Sequence, residues 1–185
     1  RAPAQVVTFG QVFTRDSIRP GAPLEVIVNG AAVPAQMNAK ALYPDGSVRH
    51  GIFAVALPAM PAGAGWPASI SVGNGPSEAA HISGAIPHLD VQVSLPGANG
   101  KMRQVDLDLN TIAHTPSSQR GAPWLSGSLL REVRYEGAVT PELGVDFDVR
   151  TPAIGPASVD VIFHNDAVGT KPVTTRTYNV RILLD

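Results

Sequence analysis

The feature that most constrains the fold is the absence of a helical pattern anywhere in the 185 residues. No segment keeps apolar residues at spacings i, i+3 and i+4 for two turns without an interrupting Gly or Pro. The chain carries 18 Gly and 17 Pro, which helices accept poorly, together with many Val and Ile. Short strands joined by turns explain this composition, so the sequence predicts an all-β protein with almost no helix.

The clearest local element is a hairpin over residues 41–57. Its turn, Pro-Asp-Gly-Ser at residues 44–47, separates an apolar entry from a long apolar exit strand. Pro presets φ at the first corner, Asp bonds the backbone ahead of it, and Gly accepts a positive φ. We therefore predict two paired strands, with Asp45 as a turn former and with Arg49 and His50 as strand-edge residues.

Alternation and turn signals divide the rest of the chain into short strands. Gly10 within the first strand indicates a bulge or a close backbone approach, and Asn29-Gly30 is a strong two-residue hairpin signal. Before residue 84, besides the hairpin, the predicted strands are residues 4–13, 24–28, 31–39 and 69–72. Strands this short, with turns this frequent, favour a small closed barrel over residues 1–83, because closure removes exposed sheet edges.

The second part, residues 84–185, alternates apolar and polar residues with period two. Such strands indicate antiparallel sheets with one solvated face, so we predict a β-sandwich or a portion of one. A polar loop is expected at residues 110–127. The predicted strands are residues 89–95, 102–109, 129–135, 143–150, 158–165 and 174–184.

Charge and composition exclude several classes of function. The net charge is −1 and the pI is about 6.6, which disfavours a nucleic-acid partner, and no apolar run is long enough to span a bilayer. There is no cysteine, and no phosphate-binding or dinucleotide motif, so we expect no cofactor. The chain starts at Arg1 rather than Met and stops in a strand-like run, which suggests a processed product or a piece of a longer protein.

Paired carboxylates and histidines are the first candidates for chemistry. Asp106 with Asp108, and Asp146 with Asp148, each share one strand face, an arrangement that could hold Ca²⁺ or perform acid/base work. Apolar residues fill the alternating positions, so the favoured interpretation is a solvated face. The five histidines show no metal-binding spacing, and the sequence therefore predicts no catalytic residue and no metal site. A metal site assembled from distant positions in the chain stays open.

Four residues are candidates for ligand binding. Trp66 and Trp124 lie beside prolines in loops, where an indole can stack on a sugar ring or plug a barrel mouth or sheet edge. Asn165 and Asp166 end a strand and begin a turn, where they either shape that turn or contact a sugar hydroxyl or another chain. Arginines at positions 131, 134 and 150 lie on strands near acidic residues, and cross-strand ion pairing accounts for them.

Several of these motifs resemble the non-catalytic front half of the exo-acting rhamnogalacturonan lyase-like family. The distinctive one is Tyr43-Pro-Asp-Gly-Ser-Val-Arg-His50, which is similar to that family's aromatic-Pro-Asp-Gly-Ser hairpin. Val7-Thr-Phe-Gly10, Val33-Pro-Ala-Gln36, Val145-Asp-Phe-Asp-Val-Arg150 and Val159-Asp-Val-Ile-Phe-His-Asn-Asp166 add to the likeness. The resemblance implies a small barrel of the RIFT type followed by a central β-sandwich.

The resemblance also directs the functional hypotheses. The family's helical toroid, where much of the active site is expected, is absent from this sequence, so no catalytic role transfers to any residue here. The chain also resembles uncharacterised large proteins of marine bacteria and their tailed phages, which have the same arrangement of a barrel followed by a sandwich. The first hypothesis is a non-catalytic β module of a virion or extracellular cell-surface protein, with other protein chains or a host-surface glycan as partners. The alternative is an accessory region of a polysaccharide lyase whose catalytic domain lies beyond residue 185.

Overall fold

The computed structural model describes residues 2–73, 85–97, 100–119, 122–165 and 177–184. Within these residues the chain is nearly all β, with one five-residue helix and one 3-10 turn, which confirms the predicted class. It divides into two compact units. The first comprises Arg1–Gly84, Leu125–Arg131 and Thr151–Pro156; the second comprises Ala85–Trp124, Glu132–Arg150 and Ala157–Asp185. The predicted domain boundary near residue 84 stays a prediction. It did not anticipate that two later segments, residues 125–131 and 151–156, group with the first unit.

The first unit contains two three-stranded antiparallel sheets, ordered β1-β5-β4 and β3-β2-β6. Pro34 separates β3 from β4 and splits the single strand predicted over residues 31–39, because proline has no N–H to donate to a ladder. The six strands are Gln5–Val12 (β1), Leu24–Val28 (β2), Ala31–Val33 (β3), Ala35–Leu42 (β4), Val48–Leu57 (β5) and Ala68–Val72 (β6).

Strand β5 is buried on both faces, which explains its long apolar run. Phe53 and Val55 enter one core with Val26 and Val28 of β2. Ala54 and Ala56 face the other way and pack against a second cluster, which contains Leu125, Leu129 and Leu130. A strand covered on both sides needs apolar residues at consecutive positions rather than at alternating ones.

The hairpin turn has the predicted geometry. Gly46 has a φ of +82°, a value that glycine tolerates and other residues rarely adopt. The Oδ1 atom of Asp45 accepts bonds from the backbone N–H of Ser47 at 2.9 Å and from its hydroxyl at 2.6 Å. These bonds, with a further one from Arg15 at 2.9 Å, hold the pKa of Asp45 well below its usual range. Asp45 is therefore a turn former, as predicted.

The predicted edge position of His50 is wrong. His50 lies on the central strand β5 and is paired with Val12 on one side and Ala41 on the other. Its imidazole lies over Gly10, where an added Cβ would come within 2.9 Å of the ring Nε2 atom. The β1–β5 register is continuous through Gly10, so the glycine provides a close approach rather than a bulge.

The second unit contains two further three-stranded antiparallel sheets, ordered β12-β7-β8 and β11-β10-β9. Strands β9 and β10 belong to it over residues 132–138 and 144–150. The strands are Leu89–Pro96 (β7), Met102–Asp108 (β8), Leu130–Ala138 (β9), Gly144–Pro152 (β10), Ser158–His164 (β11) and Asn179–Leu184 (β12).

Residues 110–127 were expected to be a polar loop, but a helix, Leu109–Ala113 (α1), occupies its start. Asp108 caps this helix by accepting a 2.9 Å bond from the backbone N–H of Asn110, so the strand ends one residue earlier than predicted. A 3-10 turn follows at Pro116–Ser118. Neither helical segment in the described part of the chain has the length and apolar character needed to cross a membrane.

Both sheets of the second unit contribute side chains to one core. Val91 and Val93 of β7 are fully buried with Val145 and Phe147 of β10. Two antiparallel sheets that share an apolar interior form a β-sandwich, which confirms the predicted architecture of this part. The opposite faces of β9 and β10 carry the polar residues considered below.

Candidate ligand-binding site

The outer face of strands β9 and β10 carries a ladder of charged side chains. Valine and aromatic residues at the alternating positions fill the core, so the charged residues between them point away from it. The Nε atom of Arg150 donates a 2.9 Å bond to Oε2 of Glu132, and its Nη2 atom lies 2.8 Å from the same oxygen. This ion pair between neighbouring strands confirms the cross-strand pairing predicted for Arg150.

Arg134 is the centre of this ladder. Its Nε and Nη2 atoms donate bonds to the two carboxylate oxygens of Asp148 at 2.6 and 2.5 Å, and its Nη1 atom lies 3.4 Å from Oδ2 of Asp146. The bidentate bond to Asp148 raises the pKa of Arg134 above its ordinary value, so the guanidinium is always charged. The two carboxylates predicted to mark a solvated face are in fact only 16% and 18% exposed, because Arg134 covers them.

A cleft of about 490 Å³ opens beside this ladder. Trp124, which is 53% exposed, lines one side of the cleft, and its backbone N–H donates a 2.8 Å bond to the carbonyl oxygen of Glu132. That bond holds the backbone of residue 124 next to the charged strand. The cleft is lined by Ala122, Trp124, Glu132, Arg134 and Asp148.

The lining combines an exposed aromatic surface with fixed hydrogen-bonding groups. An indole offers a flat apolar face to a ring, and carboxylates and a guanidinium accept from and donate to hydroxyl groups placed around that ring. Two carboxylates and one guanidinium line the cleft, and the guanidinium is already paired with Asp148. The cleft therefore suits a neutral polar ligand better than an anionic one.

The other sequence candidates lie elsewhere. Trp66 is half-buried and packs against the core of the first unit, the structural alternative given for it above. Asn165 is exposed directly after β11 and does not line the cleft. Asp166 lies outside the described residues. Asp106 and Asp108 do not act as a pair, since Asp108 caps helix α1.

The sequence singles out Trp124, Arg134 and Asp148 separately, but it neither places them in one cleft nor includes Glu132. Glu132, Arg134 and Asp148 show only the alternation of an ordinary solvated strand. Opposite charges alternate along two strands that a short turn joins, and pairing of those strands places the opposite charges side by side. This pattern predicts ion pairs between the strands. It does not predict that the loop residue Trp124 lies next to them.

One comparison with known proteins found a match. Residues 1–66 match the family model described as the PcRGLX-like N-terminal RIFT barrel domain. No curated protein and no solved structure matches the chain. The match covers the first five strands and includes the hairpin at residues 41–57. It shows that the N-terminal region resembles the RIFT barrel domain of exo-rhamnogalacturonan lyase-like proteins, as the hairpin motif predicts.

Proposed function

We propose that this chain is a non-catalytic β module that binds a neutral glycan in the cleft beside Trp124. The observation that supports the proposal most directly is that the half-exposed Trp124 lines a cleft together with Glu132, Arg134 and Asp148. Stacking on the indole supplies affinity for a sugar ring, and the paired charges supply fixed hydrogen-bond partners for its hydroxyls.

The charges in the cleft define the class of glycan. Asp148 engages the guanidinium of Arg134 with both oxygens, so an incoming carboxylate would have to displace a bidentate ion pair. Glu132 adds a second negative charge to the lining. A neutral oligosaccharide avoids both costs, whereas a uronate-rich one does not.

A glycan array carrying neutral and uronate-containing oligosaccharides tests the proposal. We expect the wild-type chain to retain neutral oligosaccharides and Trp124→Ala to bind them about tenfold more weakly, the equivalent of about 1.4 kcal/mol. Met102→Ala is a matched control in the same unit, because Met102 is 56% exposed and does not line the cleft. The proposal fails if the wild type binds no glycan, or if Trp124→Ala binds as tightly as wild type.

We consider two kinds of larger protein that would contain this module. The first is a larger surface or virion protein that uses the module for assembly or for attachment to a host-surface glycan. Purified particles should then contain the chain at a fixed stoichiometry with their other proteins. Recovery of the chain only as a soluble monomer in culture medium would argue against a virion role.

The second candidate context is a polysaccharide lyase in which this module is an accessory region, and the match of residues 1–66 favours it. The catalytic domain would then follow residue 185 in the coding sequence. About a dozen amphipathic helices downstream would support the lyase, and fibrous repeats or further β modules would support the surface protein. In both contexts we expect no uronate-releasing activity from this chain alone.

A further inference from the structure

A second cluster of side chains lies on the same sheet as the cleft but outside its lining. Glu136 of β9, Asp146 of β10 and His164 of β11 come from three adjacent strands. One ligand atom from each, a carboxylate oxygen or a ring nitrogen, lies within 4.8 Å of the other two. The closest pair is Nε2 of His164 and Oδ1 of Asp146, at 3.5 Å.

The backbone opposite His164 is shaped to hold its ring. Gly144 is the direct partner of His164 in the β10–β11 register. A Cβ added at Gly144 would lie 2.4 Å from Cε1 and 2.5 Å from Nε2 of that imidazole, so the ring occupies space that any other residue would fill. Both ring nitrogens have almost no solvent-accessible surface. The imidazole is thus positioned beside the two carboxylates by packing.

The charge arrangement at this cluster favours a cation. Glu136 and Asp146 bring two like charges within 4.8 Å of each other, and both side chains are half-buried, which limits screening by water. The guanidinium of Arg134 forms a bidentate bond with Asp148, and its Nη1 atom lies 3.4 Å from Oδ2 of Asp146. Both carboxylates of the cluster would attract a divalent cation placed beside the imidazole.

We propose that Glu136, Asp146 and His164 form a binding site for a divalent transition metal, with Zn²⁺ as the preferred ion. One imidazole nitrogen and two carboxylate oxygens are the donors that Zn²⁺ accepts, whereas Ca²⁺ and Mg²⁺ prefer an all-oxygen set. Neighbouring ligands around tetrahedral Zn²⁺ are about 3.3 Å apart, so the three side chains close on the ion by small rotations. Three protein ligands leave a fourth position for water.

Spacing in the sequence gives no indication of this site. The three ligands are separated by ten and eighteen residues in the chain, counted from their positions 136, 146 and 164. Only the antiparallel order β11-β10-β9 makes them neighbours. The site is the kind assembled from distant positions that the histidine spacing leaves open.

Isothermal titration of the full chain with Zn²⁺ tests the proposal. We expect one saturable site, and at least tenfold weaker binding in Glu136→Gln and in His164→Gln, since each removes one of three ligands. His88→Gln is the matched control, because His88 is exposed and lies outside the cluster. Zn²⁺ at one hundred times its dissociation constant should raise the wild-type melting temperature by about 5–10 °C, and that of the ligand variants by much less.

A fourth variant tests the geometry without removing a ligand. Gly144→Ala should displace the His164 ring and weaken Zn²⁺ binding, while circular dichroism reports whether the variant remains folded. The proposal is overturned if the wild type shows no saturable binding, or if folded Glu136→Gln and His164→Gln bind Zn²⁺ as tightly as His88→Gln does. Unchanged glycan binding in these variants would separate this result from the proposed cleft.

Discussion

Gln36 is a buried polar residue that bonds residues 129 and 130 within the first unit, and replacing it with leucine tests how that segment is held. Its side chain is 2% exposed. Its Oε1 atom accepts bonds from the backbone N–H groups of Leu129 and Leu130 at 2.9 and 3.0 Å. Its Nε2 atom donates to the carbonyl oxygen of Leu130 at 2.9 Å and to Oδ1 of Asn38 at 2.8 Å.

The magnitude follows from the groups that Gln36→Leu would leave without partners. Leucine has a similar volume, so the change removes hydrogen bonds without opening a large cavity. Two backbone N–H groups and one carbonyl oxygen of Leu129 and Leu130 lose a bond to Gln36. Each unsatisfied buried group costs about 1–3 kcal/mol, and the losses overlap, so we expect about 3–5 kcal/mol of destabilisation.

Equilibrium unfolding in urea and hydrogen exchange are the appropriate measurements. Exchange of the Leu129 and Leu130 amides should accelerate by at least a hundredfold, the equivalent of about 3 kcal/mol if both amides exchange by opening. Gln11→Leu is the control, because Gln11 is exposed and bonds only its neighbour's carbonyl among the contacts described, so it should change stability by less than about 0.5 kcal/mol. A loss below about 1 kcal/mol in Gln36→Leu would refute this account of how residues 125–131 are held.

Three further predictions concern single positions. Gly127→Ala should destabilise the first unit by about 1–3 kcal/mol in urea unfolding, since an added Cβ would lie 2.3 Å from Cδ of the buried Gln36. The folded protein lowers the pKa of Asp45, so the stabilisation from its carboxylate is complete above the ordinary Asp pKa near 4 and is lost as the pH falls below that value. In Asp45→Asn, the melting temperature should therefore fall less steeply than in the wild type as the pH is lowered below about 4. Asp108→Ala should cost about 1 kcal/mol in thermal unfolding by removing the cap of helix α1, and Asp106→Ala, its control, should cost little.

Much of the secondary structure could be predicted from local sequence. The turn at residues 44–47 is specified by its own residues, because Pro, Asp and Gly each favour one backbone conformation there. The pair Asn29 and Gly30, with φ values of 51° and 79°, likewise forms the expected two-residue turn. Pro34 interrupts the strand expected over residues 31–39, because proline has no N–H to donate to a ladder. Residues 110–127 are not wholly a loop, because Asp108 caps a helix at their start.

The candidate sites could be predicted only in part. The sequence points to Trp124 because an indole in a loop can stack on a sugar ring, but its charged neighbours come from strands whose alternation is ordinary. The sequence singles out Asp146 only as the partner of Asp148, and it does not connect Asp146 with Glu136 and His164, since these three approach one another only across strands. Residues on different strands become neighbours through register, and register depends on all the turns and pairings between them.

The sequence by itself determined the fold class, the hairpin at residues 41–57 and the two-face pattern of the sandwich strands. These follow from backbone conformation and from period-two burial, which are local properties. The tertiary structure alone decided that residues 125–131 and 151–156 belong to the first unit. It alone decided that Arg134, which is ion-paired with two aspartates, lies beside Trp124. Both outcomes depend on contacts between residues far apart in the chain, and local sequence does not specify such contacts.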